Sequence, residues 1–268
     1  MSEEQALYVR DGASFVGTGC TKGSWHANGQ SGGAVLALLG HVLEDVPTLA
    51  PMSVTRLTVD IVRPVPVGER LRIESAVLRE GKKIQVVDLV VTTSAGAHVL
   101  ARALRVRDAD LTDRPGMPVS TTDDDPAAAL PPPEALDGVE RLEGVADFLR
   151  YGAELRHTAE PVDGRHGIWV RLRVPVVAGE AIRPTSLTAL PMDCVNLIGV
   201  ALDPSRASAI NADVTAHVAR APVGEWVALT GNTWYSHEVG HGVSSATMSD
   251  RHGVFGVTST SQLVQPVG

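Results

Sequence analysis

Asp193 is the first residue whose type and surroundings suggest chemistry. It is the only acid inside the apolar, helix-length run TSLTALPMDCVNLIGVALD, Thr185 to Asp203. A lone carboxylate in such a run is costly unless it is paired, so it is either held for a purpose or placed at a helix end. Held for a purpose, it would accept a proton from water or orient it. The structural alternative makes Pro191 the first helical residue, with Asp193 capping the first turn. Cys194 beside it invites a nucleophile reading, but a cysteine on a buried helix is ordinarily inert packing. Gly32 and Gly33 open a second apolar run, SGGAVLALLGHVLEDV, Ser31 to Val46. There glycine permits either a close approach of ligand to backbone, or a helix cap and tight packing. The nine histidines are scattered. His237, His241 and His252 fall near turns and read as solvated, and no HExxH spacing suggests a metal. No GxSxG elbow occurs either, which argues against a serine hydrolase.

The elements that must position these residues come in two copies. RPVPVGE spans residues 63–69 and RAPVGE residues 220–225, so the shared PVGE recurs at an offset of 156. Gly96, in SAGA, follows Gly68 by 28 residues; Gly253, in DRHG, follows Gly224 by 29. One of the two apolar runs precedes each PVGE. Matching order, spacing and flanks point to a duplication. In the first copy Leu71, Ile73 and Val77 alternate with Arg70, Arg72 and Glu74, the period of a half-buried strand. REGKK then reads as a turn, IQVVDLVVTTS as a strand and HVLARALRVR as its return. EWVALTGNTWYSH, VSSATMS and VFGVTSTSQLV repeat this in the second copy. The helical runs are apolar nearly all round, so they should be wrapped rather than laid on a surface, and a sheet curled around a buried helix satisfies that. The fold class is therefore α+β. The organisation reads as an N-terminal unit over 1–108, a Pro/Ala/Asp-rich linker over 109–140 with little core of its own, and a C-terminal unit over 141–268. EGVADFLRYGAELRH opens the last.

The 268 residues, 44% hydrophobic, suffice for a sizeable core. The net charge of −8 and the lack of any Lys/Arg block leave no nucleic-acid footprint. The longest apolar run, near Ala34 to Leu39, is far short of the ~20 residues that span a bilayer, and the acidic MSEEQ start lacks a signal-peptide layout. Two isolated cysteines, Cys20 and Cys194, read as reduced thiols. These features lead to the expectation of a cytoplasmic protein that meets neither membrane nor nucleic acid.

WHANGQSGGAVLALL and VTRLTVDIVRPVPVGERLRIESAVLREGKKIQVVDLVV resemble the N-terminal half of the acyl-CoA thioesterase II-like, double-hotdog superfamily. IWVRLRVPVVAGE, MDCVNLIGVALD, INADVTAHVARAPVGEW and SDRHGVFGVTSTSQLV resemble its C-terminal half. The resemblance covers nearly the whole chain except the linker, through many weak positions in the right order. It implies a double hotdog, two tandem units each with a long helix wrapped by antiparallel sheet, and hydrolysis of acyl-CoA to free acid and CoA. The family's catalytic Asp, Thr and Gln fall on Asp193, on Asn211 in INADV, where this chain departs from Thr, and on Gln262 in TSTSQLV. Asn still donates and accepts hydrogen bonds. Asp193 would activate a water, with Asn211 and Gln262 holding water and carbonyl, and a helix N-terminal amide would face the oxyanion. On this reading Gly32 and Gly33 lie close to the thioester or pantetheine. The substrate is acyl-CoA, with CoA as part of it, and no cofactor is needed. Uncovered sheet edges suggest a homo-oligomer.

Structural alternatives stand beside each role. Asn211 could cap a strand end or turn. Gln262 alternates with Ser261 and Leu263, so it could face solvent. Asp213 reads as bonding locally to backbone or to an arginine. Two other functions compete: a non-catalytic acyl-CoA or lipid-binding protein, kept open by Asn211, and a hotdog enoyl-CoA hydratase. The hydratase is disfavoured because DCVN has no nearby histidine of the GDxNPxH kind.

Overall fold

The structure is a computed structural model, and it describes residues 5–24, 26–116, 125–141, 144–158, 161, 164–198 and 206–266. Trp25, the middle of the linker and the tail of the second apolar run, all singled out above, lie outside the described residues.

A hairpin of β1 (Tyr8–Asp11) and β2 (Ser14–Gly17) precedes α1 (Gly32–Leu43). Strands β3 (Met52–Ile61), β4 (Arg70–Arg79), β5 (Ile84–Thr93) and β6 (Gly96–Arg107) complete the first unit. The second has β7 (Ala153–His157), β8 (His166–Leu172), α2 (Pro184–Asp193), β9 (Ala207–Asn211), β10 (Asp213–Val218), β11 (Val227–Ser236), β12 (His241–Asp250) and β13 (Gly253–Pro266). The thirteen strands among the described residues belong to one sheet, ordered β1-β2-β4-β5-β6-β3-β10-β13-β12-β11-β8-β7, with β9 also on β13. The repeat is visible in the strands. β4 and β11, β5 and β12, and β6 and β13 each begin 157 residues apart. The paired landmark glycines Gly68 and Gly224, and Gly96 and Gly253, all have left-handed φ, from 79° to 103°, which only glycine adopts freely. The seam between units is the antiparallel pair β3–β10, where Thr58 faces Thr215.

A second seam closes the other side. Leu7 and Tyr8 donate their amides to the carbonyls of Pro175 and Val176, and Ala178 returns a bond to Tyr8. Arg10 chelates Glu180 at 2.8 and 3.1 Å, and Glu180 also meets the buried His41 of α1 at 2.9 Å. Sequence reading missed the β1–β2 hairpin, although Asp11-Gly12 between two apolar pairs is a hairpin signal.

Inside this wrap the two helices pack on each other. Ten of the twelve residues of α1 are buried, each leucine contributing roughly 1.5–3 kcal/mol. Gly40 brings the backbones together, since a Cβ there would lie 2.7 Å from the carbonyl oxygen of Thr185, and Ser186 Oγ donates to the Ala37 carbonyl at 2.9 Å. α2 is shorter than its apolar run suggested. Pro184 is its first residue, and Pro191 lies inside its last turn, where it removes an amide and crowds the carbonyl four residues back. The helix ends two residues later and tightens into a 3-10 turn over Cys194–Leu197. Asp193 is thus the last residue of α2, and the alternative in which it caps the first turn is excluded.

Two further expectations need correction. The alternation of Leu71, Ile73 and Val77 predicts one buried strand face, yet Leu71 is buried and Val77 is 43% exposed. β2 covers β4 only at Arg70 to Arg72, and the ladder to β5 shifts register between Val77 and Arg79. The linker, expected to have little core of its own, docks over its described residues 125–140 on the outer face of the second unit. Ala127 and Leu130 pack against Ala228 and Trp169, and Trp169 Nε1 donates to the Pro131 carbonyl at 3.0 Å.

Candidate active site

The C-terminal end of α2 points its last side chain at the N-terminal end of α1. Asp193 Oδ2 accepts the amide of Gly33 at 2.7 Å, and Oδ1 accepts Asn211 Nδ2 at 2.9 Å. Asn211 Nδ2 also donates to the Asp193 carbonyl at 3.0 Å. Asn211 is the last residue of β9, just before the break at Ala212 that separates β9 from β10. Its carboxamide therefore fixes the orientation of the carboxylate and caps the end of α2 at once. The carboxylate leaves the unfavourable negative end of its own helix for the positive end of the other, where free amides accommodate an anion.

Glycine at position 32 is required by this approach. A Cβ there would lie 2.5, 2.7 and 2.8 Å from Oδ1, Cγ and Oδ2 of Asp193. At Gly33 a Cβ would instead press on the Phe148 ring at 3.1 Å. Gly32, as the first residue of α1, has an amide without an intrahelical acceptor. Burial pushes the Asp193 pKa above the usual carboxylate range, partly offset by the bonds from Asn211 and Gly33. Each carboxylate oxygen keeps a further lone pair for a proton donor.

Gln262 is placed beside this pair with a different orientation. It stands directly opposite Asn211 in the β13–β9 ladder and opposite Gly242 in the β12–β13 ladder, so all three share a face of the sheet. It is buried, 3% exposed, and does not face solvent. Its carboxamide turns over Gly242, where a Cβ would lie 2.6 Å from Gln262 Oε1. Among the described residues, neither Gln262 Nε2 nor Oε1, nor Asn211 Oδ1, has a hydrogen-bond partner.

Asp193 and Asn211 line a cavity of about 360 Å³ between the two units. Its floor is apolar: Val35, Leu36, Val99 and Phe148 are each at most 2% exposed. Sequence reading missed one wall, supplied by Ala146, Phe148 and Leu149 of the segment that leads into β7. The apolar Phe148-Leu149 pair was the only signal, and nothing in the sequence said which surface it would meet. Cys194 also lines the cavity, but its thiol pKa is pushed far up by burial and by Asp193, and so it is a poor nucleophile. Asp213 accepts the Ser261 amide at 2.7 Å, a local bond that ties β10 to β13. His237, His241 and His252 are exposed.

The opposite pole of the helix pair repeats the arrangement with different side chains. There the amide of Thr185, near the start of α2, donates to Glu44 at the end of α1 at 2.7 Å. Arg105 stands 157 residues before Gln262, and Gln85 the same distance before Gly242. The Arg105 guanidinium fills the space, donating to the carbonyls of Leu43 and Val46 and to Gln85 Oε1. Where the first unit has a buried cation stitched to a helix end, the second has a glycine, a carboxamide and a cavity.

Comparison with known proteins agrees with the geometry. No curated protein matches the sequence. Among solved structures, a hot dog fold protein of unknown function from Alicyclobacillus acidocaldarius is 16% identical, with 97% of this chain and 96% of that one covered and a TM-score of 0.68. The tesB protein of Mycobacterium avium subs paratuberculosis is 18% identical, with the same coverage and a TM-score of 0.65. The acyl-CoA thioesterase II TesB2 of Mycobacterium marinum is 13% identical, covering 87% of this chain and 90% of that one, with a TM-score of 0.64. At such identities the likeness shows the hotdog fold. No helix among the described residues is long and apolar enough to cross a membrane. Family models of the acyl-CoA thioesterase N-terminal domain match residues 21–107, and those of the C-terminal domain residues 120–264, so the chain belongs to the acyl-CoA thioesterase family.

Proposed function

We propose that this chain hydrolyses acyl-CoA at the pole where α2 ends against the start of α1, with Asp193 as the base that activates water. What carries the proposal is that one carboxylate, held by an amide of the first unit and a carboxamide of the second, lines an apolar cavity. The acyl chain would lie on the apolar floor, because it has no polar group to satisfy. Water adds to the thioester carbonyl as its proton passes to Asp193, whose pKa, raised by burial, makes it a stronger base than an ordinary carboxylate. The Gly32 amide, at the positive end of α1, would stabilise the oxyanion. The tetrahedral intermediate then expels CoA as the thiolate, which takes the proton from Asp193, leaving free acid and CoA.

Asn211 acts chiefly by orienting the carboxylate, and its Oδ1 with the carboxamide of Gln262, both without a partner among the described residues, offers hydrogen bonds to the attacking water. Gln262 performs this role after turning from Gly242 toward Asn211. The reaction calls on no cofactor beyond the CoA of the substrate. The chain reads as two fused hotdogs. The edges of β4 beyond Arg72 and of β11 beyond Gly231, which β2 and β8 leave uncovered, support assembly as a homo-oligomer.

A panel of acyl-CoAs with thiol detection tests the function. Wild type should release CoA steadily, and Asp193→Ala, folded by circular dichroism, should not. Binding of acyl-CoA without turnover would leave only a carrier role, and hydration of crotonyl-CoA without thiol release would point to the hydratase.

A further inference from the structure

The mouth of the active-site cavity mixes apolar and polar groups. The second unit supplies Leu197 and Leu263, 44% and 50% exposed, beside the half-buried Asn196. The first unit supplies the polar side chains of Ser24, His26 and Arg63 together with Val62, all exposed. Arg63 follows β3, and its Nη1 donates to the Ala95 carbonyl at 2.8 Å, which props the guanidinium at the β5–β6 turn. Among the described residues it makes no ion pair, and the only carboxylate lining the cavity is Asp193. Among the described residues nine other arginines of this acidic chain have an acid, including Arg10 with Glu180, Arg70 with Asp11, Arg102 with Asp88, Arg171 with Glu154 and Arg220 with Asp250.

We propose that Arg63 is the anchor for the phosphate end of the CoA moiety, so that the nucleotide leaves the cavity over the first unit. The inference rests on the hydrolytic reading for the identity of the substrate. A chain with a net charge of −8 repels a polyanion at long range. A substrate that carries several phosphates therefore needs a local cation without an acidic partner where it emerges. Arginine suits this, because its planar fork bonds phosphate oxygens in pairs. The bond to Ala95 uses one donor and leaves the rest of the fork available. Leu197 and Leu263 would then flank the uncharged pantetheine arm.

The test compares octanoyl-CoA with octanoyl-N-acetylcysteamine, which presents the same thioester without any phosphate. The ratio of kcat/KM for the two substrates is measured for wild type, Arg63→Ala, Arg63→Lys and Arg63→Glu. Loss of one charge-assisted bond at an exposed site should lower the preference for the CoA thioester by about tenfold in Arg63→Ala. Arg63→Glu should lower it further, Arg63→Lys less, and the loss should appear in KM and shrink as salt is added. An unchanged ratio, or a parallel fall on both substrates, overturns the assignment, since a merely structural arginine would slow both alike. If wild type hydrolyses neither substrate, the hydrolytic reading fails alone. Calorimetric titration of free CoA then decides: tighter binding to wild type than to Arg63→Ala supports the anchor, and equal binding overturns it.

Discussion

Replacing Gly32 by alanine separates the proposed site from the stability of the fold. A Cβ at position 32 would sit 2.5 to 2.8 Å from three atoms of the Asp193 carboxyl group. Ordinary contact begins near 3.4 Å, so the carboxylate must retreat by roughly 0.6–0.9 Å, and displacements of about 1 Å in a catalytic group cost on the order of 100-fold in rate. The retreat also stretches the 2.7 Å bond from the Gly33 amide, a loss of about 1.5–3 kcal/mol for a charged acceptor. Against that, alanine in place of glycine in a helix recovers up to about 1 kcal/mol. The net destabilisation should be about 1–2 kcal/mol, a drop in Tm of a few degrees, while kcat/KM for acyl-CoA falls about 100-fold. Thiol release on the folded protein and a thermal melt on the same preparation give both numbers. Gly33→Ala is the control: its Cβ meets the Phe148 ring at 3.1 Å, so a small shift of the ring absorbs it and the rate should fall less. If Gly32→Ala hydrolyses acyl-CoA at the wild-type rate, the carboxylate over Gly32 is not the catalytic base.

Asn211→Ala removes the donor that orients the carboxylate and should lower kcat by about tenfold or more, whereas Asn211→Thr, which keeps a hydroxyl donor, should retain most of the activity; equal losses in the two variants would contradict an orienting role. Because Asp193 works only when ionised and burial raises its pKa, kcat/KM should fall as pH drops, along an acid limb above the ordinary carboxylate range. That limb should move to still higher pH in Asn211→Ala, where one bond that lowers the pKa is gone; a limb at or below the free carboxylate value would refute this. Arg105→Met leaves the carbonyls of Leu43 and Val46 and the Gln85 amide oxygen buried without their donor. It should cost about 3–5 kcal/mol in urea unfolding, with little change in the turnover of the folded fraction; a cost below about 1 kcal/mol would show that the buried cation is not what secures the end of α1.

The repeat was legible because its markers are conformational. Gly68, Gly96, Gly224 and Gly253 must be glycine to hold left-handed turns, so the duplication left identical residues at those points. The burial of α1 was legible from a run with no polar face. The length of α2 was not, since an apolar run carries no boundary and the stop is set by Pro191 together with the turn that follows. Asp193 stood out as a lone acid, but nothing local to its helix says that its partner is an amide 160 residues earlier in the chain. Asn211 and Gln262 became visible only by resemblance: an amide on a strand looks the same whether it faces solvent or a neighbour. The orientation of Gln262 over Gly242 depends on a glycine on an adjacent strand, a cross-strand relation that periodicity does not encode. The docking of the linker was hidden because Pro- and Ala-rich chain has no periodicity, and Leu130 finds its place only once β8 and β11 form a surface.

The central claim is that the thioester is cleaved between the end of α2 and the start of α1. A crystal structure with an acyl-CoA analogue whose thioester sulfur is replaced by methylene tests it most directly. The account predicts the ketone oxygen within hydrogen-bond reach of the Gly32 amide, a water between the ketone carbon and Asp193, and the acyl chain against Leu36, Val99 and Phe148. A ketone bound elsewhere, with the Asp193 carboxylate still closed against Gly33 and Asn211, would contradict it.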